Sequence, residues 1–236
     1  MIKLNDISIA FGSRTLLRHV SASFPRGRLT ALIGRNGSGK STLLRAISGL
    51  SRNYSGEILL DGQNIRALDV AEMARRLALV TTGRTRVPNL RCEDVVAIGR
   101  APYTNWIGRM QATDREIVMR SLQSVGMESY AGRTIDTLSD GENQRVMIAR
   151  ALAQDTPVIV LDEPTSFLDL PGRYELCDLL ERIAHEEGKT VVFSTHELDL
   201  ARERCDSLAL ISHETMEIID SETLPTVSTA TLLEKF

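Results

Sequence analysis

The sequence has few of the residues that mark secreted, metal-binding or membrane-spanning proteins. Its 236 residues include three cysteines and four scattered histidines, and no cysteine pair has the C-x-x-C spacing of a metal or redox site. We therefore expect Cys92, Cys177 and Cys205 to be reduced and partly buried in a cytoplasmic protein. No apolar run approaches the roughly 18–20 residues that span a bilayer. The first residues resemble the start of a strand rather than a signal peptide.

An excess of charge of either sign is also missing. The chain has 28 Lys and Arg residues against 31 Asp and Glu residues, a net charge of −3, and its basic runs are short. Nucleic acids are recognised by concentrated positive charge, so we expect no nucleic acid among the partners. The 42% hydrophobic and 25% charged residues are ordinary for a globular protein.

The most informative segment that is present spans residues 34 to 41 and fits the pattern G-x-x-x-x-G-K-[ST] at every fixed position. Its glycines let the backbone turn tightly, so that successive N–H groups can point at phosphate oxygens. Lys40 can reach the β- and γ-phosphates, and Ser41 offers a hydroxyl to Mg²⁺. An apolar run precedes the segment and a helix-like run follows it. The chain is therefore predicted to bind a nucleoside triphosphate.

The order of apolar and amphipathic segments predicts an α/β fold. The first 28 residues read as antiparallel strands, and parallel-strand runs at 158–161 and 190–194 flank an amphipathic helix at about 174–185. Between them, helical stretches at 92–98 and 114–125 replace the strand pattern. Thr113 and Glu116 fit a capping box for the second of these helices.

We predict one P-loop NTPase domain over residues 1–236. Residues 1–82 and 155–236 would form its catalytic core, with a mixed, mainly parallel sheet and an N-terminal antiparallel β subdomain. Residues from about 83 to 154 would form an inserted α-helical subdomain.

Two carboxylates follow the apolar run at 158–161. Ligands gather at the carboxyl ends of parallel strands, so Asp162 and Glu163 should lie beside the phosphate-binding segment. Asp162 is then placed to hold Mg²⁺ or its water, and Glu163 to polarise an attacking water. His196 follows another apolar run and would lie near the γ-phosphate.

Together these motifs resemble the ATP-binding subunit of an ABC transporter. Residues 138–142 (Leu-Ser-Asp-Gly-Glu) match the LSGGQ signature in three of five positions, and residues 166–169 resemble the D-loop. His196 resembles the switch histidine, and Phe11 stands where an aromatic ring stacks on adenine. The resemblance assigns Glu163 and His196 to catalysis and Ser41, Asp162 and Thr82 to the metal. It assigns nucleotide contacts to Phe11, Gly34, Arg35, Asn36, Gly37, Ser38, Gly39, Lys40, Ser41, Thr42, Ser139, Gly141 and Glu142.

The resemblance also implies ATP and Mg²⁺ as cofactors and a head-to-tail homodimer. In that dimer, Ser139 and Gly141 of one protomer close over ATP on the phosphate loop of the other. Transmembrane permease subunits would be separate chains, and a periplasmic binding protein would act indirectly. The chain would lie on the cytoplasmic face of the cell membrane. Residues 95–103 and 165–170 resemble the importers of iron–siderophore complexes, haem and cobalamin.

Three positions depart from the family pattern. Asp140 replaces a glycine of the signature, and Glu142 replaces its glutamine, although a carboxylate can still accept from a ribose hydroxyl. Thr82 stands where the Q-loop glutamine is expected and could reach the metal site only through a bridging water. We therefore expect weak ATPase activity without a permease.

Two other functions stay open at this point. One is a soluble ABC ATPase that acts in translation or DNA repair, and the other is a nucleotide-binding regulator that does not hydrolyse ATP. The first usually has two cassettes, a coiled-coil insertion or a basic surface, none of which is visible in the sequence. The second is disfavoured because the expected site residues are all present, namely Lys40, Ser41, Asp162, Glu163 and His196.

Overall fold

The computed structural model describes residues 1–83, 87–104, 110–220 and 223. The strands are β1 (Ile2–Phe11), β2 (Arg14–Phe24), β3 (Leu29–Gly34), β4 (Ser55–Leu60), β5 (Gln63–Asn64), β6 (Leu77–Val80), β7 (Val158–Leu161), β8 (Thr190–Thr195), β9 (Ser207–Ser212) and β10 (Thr215–Asp220). The α-helices are α1 (Lys40–Ile47), α2 (Val70–Arg76), α3 (Cys92–Ala97), α4 (Ala112–Ser124), α5 (Asp140–Ala153), α6 (Leu170–His185) and α7 (Leu198–Arg204). Short 3₁₀ helices lie at Ile65–Ala67, Ile98–Tyr103, Glu128–Tyr130 and Ile135–Thr137.

The strands form two sheets. The first is antiparallel in the order β2-β1-β4-β5, and the second has the order β10-β9-β3-β8-β7-β6. In the second sheet only the β9–β10 pair is antiparallel, since β3, β6, β7, β8 and β9 run parallel to their other neighbours. The predicted α/β fold, with a mixed, mainly parallel sheet and an N-terminal antiparallel sheet, is confirmed.

The central strands of the larger sheet are buried on both faces. Every residue of β3 and β8 is buried, as expected for parallel strands covered on two sides. Successive β3 side chains therefore enter different cores. Leu32 packs with α1 between the two sheets, whereas Ala31 and Ile33 pack on the opposite side with α6 and the helical region.

The described residues between β6 and β7 contain helices and no named strand. Helices α3, α4 and α5 pack on one another there. This arrangement is what an inserted helical subdomain would show, and its boundaries at about 83 and 154 stay a prediction.

The predicted capping box of α4 is wrong. The helix begins at Ala112, and Oδ2 of Asp114 accepts the Gln111 N–H at 2.9 Å. Asp114 is held in this place by a buried ion pair with Arg100, whose Nε lies 2.9 Å from Oδ1. A long-range partner, invisible in the local sequence, therefore sets the start of this helix instead of Thr113 and Glu116.

Helix α6 begins at Leu170, four residues before the predicted start. Oδ1 of Asp169 accepts the Gly172 N–H at 3.1 Å, and a proline in the first turn adds a pre-set backbone angle.

The three cysteines are free and buried. Burial raises the pKa of the Cys177 thiol to about 12, so that this side chain is an unreactive part of the core. None of the described helices combines the length and the apolar character needed to cross a bilayer.

Candidate active site

The phosphate-binding loop joins the end of β3 to the start of α1. Gly37 and Gly39 have φ angles of +77° and +104°, values that residues with a Cβ rarely adopt. A Cβ on Gly34 would lie 2.5 Å from Ser38 Oγ and 3.0 Å from the Ile211 carbonyl oxygen, so the loop leaves little room for a side chain there. The Ser38 hydroxyl is buried and has no hydrogen-bond partner in the part of the chain that the structure describes. A glycine cradle with an orphaned hydroxyl fits an oxygen-rich anion such as a triphosphate.

Lys40 lies folded back over this loop. Its Nζ donates to Gly34 O at 2.8 Å and to Arg35 O at 3.4 Å, and it lies 3.8 Å from Glu163 Oε1. Burial lowers the pKa of Lys40, whereas the charges of Glu163 and Asp162 oppose that shift. The ammonium group thus lies between the loop carbonyls and the carboxylate, where a phosphate could replace either contact.

Asp162, at the end of β7, contacts α1 and β8 through one carboxylate oxygen. Its Oδ1 accepts the Ser41 hydroxyl at 2.9 Å and the Ser194 hydroxyl at 2.7 Å. Ser194 Oγ also accepts the Glu163 N–H at 2.8 Å. Ser194 was missed by the sequence analysis, although a serine near the end of an otherwise apolar strand was a usable signal.

Glu163 is held in a strained backbone conformation with φ of +46°. Its Oε2 accepts the Ser166 hydroxyl at 3.0 Å and lies 3.3 Å from His196 Nδ1. A strained residue of this kind persists where its surroundings fix it, and it is common at functional sites. The structure therefore brings both predicted catalytic residues together at the edge where β7 and β8 end.

The predicted Mg²⁺ ligands Ser41 and Asp162 lie within hydrogen-bond distance of each other. Among the described residues, no group of three or more His, Cys, Asp or Glu side chains could hold a metal. Mg²⁺ usually takes one or two carboxylates and completes its shell with water and substrate phosphates. The donor set therefore fits Mg²⁺ bound together with a nucleotide, and not a dedicated protein cage.

Thr82 contacts the backbone of Asp162. Its hydroxyl donates to the backbone carbonyl of Asp162 at 2.7 Å, and so helps to fix the strand end that carries the carboxylate. Its predicted contact with the metal through water stays a prediction.

We expect Thr82→Val to lower the free energy of unfolding by about 1 kcal/mol, because the Asp162 carbonyl loses a hydrogen bond. Thr82→Ser keeps the hydroxyl and should retain most of the stability. Urea unfolding of the two variants measures the difference. Equal stabilities would show that this hydrogen bond contributes nothing.

The signature residues form a second group at the start of α5. Ser139 is the N-cap of this helix and forms a capping box with Glu142. The Ser139 side chain accepts the Glu142 N–H, and the Glu142 side chain accepts the Ser139 N–H. A Cβ on Gly141 would lie 3.2 Å from Leu168 Cδ2 and 3.3 Å from Phe167 O, so a glycine suits the close approach of the D-loop segment. Asp140 is the exposed first residue of the helix, where the helix dipole favours a carboxylate.

Phe11 ends β1 with 76% of its surface exposed, which does not agree with ordinary packing in a core. We expect Phe11→Ala to weaken ATP binding about tenfold or more, since stacking on an aromatic ring contributes roughly 1–3 kcal/mol per base. Phe11→Tyr should bind nearly as well as the unaltered protein. Titration with a fluorescent ATP analogue distinguishes the variants, and equal losses in both would argue against stacking.

The sequence model of the ABC transporter family matches residues 17–166, more than half of the chain. The chain belongs to the ABC transporter family. Within this ABC subunit the matched range includes the phosphate loop, the signature and the Asp162–Glu163 pair. The chain is an ATP-binding subunit that hydrolyses ATP.

Similar proteins include transport subunits from bacteria. The chain is 35% identical to the achromobactin transport ATP-binding protein CbrD of Dickeya dadantii, over 96% of this chain and 87% of that protein. It is 36% identical to the iron(3+)-hydroxamate import ATP-binding protein FhuC of Bacillus subtilis, over 85% of this chain and 74% of that protein. A solved ATP-binding cassette, dimeric in a post-hydrolysis state with ADP and phosphate, matches with a TM-score of 0.82 and 27% identity. The match covers 94% of this chain and 99% of that cassette.

Proposed function

We propose that this ABC subunit powers the import of an iron chelate, such as a siderophore complex or haem, or of cobalamin through a separate membrane permease. The observation that carries the ATPase part is the meeting of Lys40, Asp162, Glu163 and His196 at one sheet edge. The cargo part rests on the relatives, whose names refer to achromobactin transport and iron(3+)-hydroxamate import. Those names favour an importer over a soluble switch.

In the proposed reaction Glu163 accepts a proton from the attacking water, and His196 keeps that carboxylate and the γ-phosphate in place. Lys40 exchanges its contacts with Gly34 O and Glu163 for phosphate oxygens. Ser41 and Asp162 would hold Mg²⁺, which supplies charge neutralisation at the phosphates. The residues needed for each role lie within hydrogen-bond or ion-pair distance of one another.

The proposed active form is a head-to-tail homodimer on the cytoplasmic face of the membrane. Ser139 and Gly141 of one protomer would close over ATP on the phosphate loop of its partner. The N-terminus of α5 supports this role, because a helix start offers N–H groups and a positive dipole end to a phosphate. The dimeric state of the similar cassette also supports it.

We infer that the permease binds in a groove beside Thr81. The groove has a volume of about 480 Å³ and lies between α2, the 3₁₀ helix at Ile98–Tyr103 and the end of α5. Leu50, Val70 and Ile98 line it with 69%, 88% and 54% of their surfaces exposed. Large exposed apolar side chains around a groove suit an apolar segment of a partner protein. We assign that segment to the permease.

The experiment that tests the proposal is capture of the tagged chain from detergent-solubilised membranes. We expect a permease to be captured together with the chain. We also expect the captured complex to support uptake of a radiolabelled ferric siderophore, haem or cobalamin. Val70→Asp and Leu50→Asp should release the permease while ATP binding persists, whereas Met119→Asp, 36% exposed on α4, serves as the matched control. A chain that never enters the membrane fraction would instead indicate a soluble switch. A captured permease without phosphate release would indicate a regulator.

A further inference from the structure

The first turn of α5 uses the hydroxyl proton of Ser139 internally. The backbone N–H and the hydroxyl of Ser139 both donate to Oε2 of Glu142, at 2.8 Å each. In return the Glu142 N–H donates to Ser139 Oγ at 3.3 Å. In an ordinary capping box the serine oxygen only accepts, so that its proton remains available. In this turn the proton is held by the carboxylate.

Other groups hold Glu142 in place. The Tyr130 hydroxyl donates to its carboxylate, and Arg133 lies close enough to attract it. The Arg133 guanidinium in turn stacks 4.4 Å from the centre of the Tyr130 ring. The pKa of Glu142 is lowered most by hydrogen bonds from the Ser139 N–H and hydroxyl. Tyr130 and Arg133 lower it by smaller amounts. The side chain is therefore an anion at neutral pH.

We propose that Glu142 is a positioning residue that withholds the Ser139 hydroxyl from ATP until the γ-phosphate displaces the carboxylate. This role rests on the proposed function, in which Ser139 closes over the nucleotide of the partner protomer. A serine hydroxyl has one proton, and a phosphate oxygen can only accept it. Carboxylate and γ-phosphate thus compete for the same donor, and their negative charges repel each other.

The consequence is a higher ATP requirement for closure of the dimer. A glutamine at this position could still accept the Ser139 N–H and so keep the helix cap. Its neutral oxygen would hold the hydroxyl less strongly, because hydrogen bonds to charged groups are about twice as strong as neutral ones. Glu142 thereby restrains closure of this subunit, which limits ATP hydrolysis in the absence of a permease.

The test compares Glu142→Gln with the native residue, both in a Glu163→Gln background, which is expected to bind ATP with little turnover. Analytical ultracentrifugation measures the ATP concentration that gives half-maximal dimer. Glu142→Gln should lower that concentration roughly 3- to 10-fold. Asp136→Asn removes an exposed charge three residues before Ser139 and should leave the half-maximal ATP concentration unchanged. Ser139→Ala should abolish the gain from Glu142→Gln.

Each result has a separate meaning. A dimer whose ATP dependence is unchanged or weakened by Glu142→Gln would overturn the restraint and indicate a helix cap alone. A gain that persists in Ser139→Ala would overturn the role of the hydroxyl. A monomer at saturating ATP with either residue at position 142 would overturn the head-to-tail dimer itself, and the role of Glu142 with it.

Discussion

Glu163→Gln is expected to lower the rate of ATP hydrolysis by about 10²–10⁴-fold while ATP binding persists, since a positioned general base typically contributes that much. Glutamine keeps the shape of the side chain, and its oxygen can still accept the Ser166 hydroxyl that contacts Oε2 at 3.0 Å. It cannot take a proton from water. Binding without turnover should trap a closed dimer, which gel filtration with ATP would show.

Glu197→Gln is the matched control for this substitution. Glu197 follows the histidine at the same sheet edge, but its carboxylate contacts Thr165 at 2.8 Å and Arg173 at 2.9 Å instead of the phosphate loop. Its change should cost stability and leave most of the turnover. Full turnover of Glu163→Gln, or a monomer at saturating ATP, would remove Glu163 from the role of general base.

Lys40→Ala is expected to weaken ATP binding by roughly 10- to 100-fold, because hydrogen bonds to a charged group contribute about 1.5–3 kcal/mol. The substitution removes the ammonium group that contacts Gly34 O at 2.8 Å and lies 3.8 Å from Glu163 Oε1. Isothermal titration with a non-hydrolysable ATP analogue measures the change.

Lys189→Ala supplies the comparison for Lys40→Ala. Lys189 is also nearly buried, and its Nζ contacts Asp155 at 3.0 Å, away from the phosphate loop. Its loss should lower the melting temperature without lowering ATP affinity. ATP affinity that is retained in Lys40→Ala would contradict the assignment of Lys40 to the phosphates.

The parts of the site that the sequence predicts are those built from contiguous residues. The phosphate loop depends on closely spaced glycines, a lysine and a serine, so its pattern is complete within eight residues. Asp162 and Glu163 follow an apolar strand, and the topology of a parallel sheet brings such strand ends to one edge.

The parts that could not be predicted depend on distant segments. Ser194 reaches Asp162 because β7 and β8 pair with Leu161 beside Phe193, a register that no local pattern contains. The hydrogen bond from the Thr82 hydroxyl to the Asp162 carbonyl likewise depends on the pairing of neighbouring strands, in this case β6 and β7. The left-handed backbone of Glu163 is fixed by tertiary contacts and not by residue type.

The two errors in the fold have different causes. The α4 boundary follows a buried ion pair of Arg100, which overrides the local capping pattern. The β9–β10 hairpin was missed because β9 has only four consecutive apolar residues, between Ser207 and Ser212, and periodicity alone does not distinguish so short a run from part of a buried helix.

The central claim is that ATP hydrolysis at this site drives import through a permease. Its most direct test is phosphate release by the subunit reconstituted with the captured permease in lipid vesicles, with and without cargo-loaded binding protein. We predict slow hydrolysis by the subunit alone, a marked increase in the complex with iron-chelate or cobalamin cargo, and loss of the increase in Glu163→Gln. Hydrolysis that is the same with and without permease and cargo would contradict the claim.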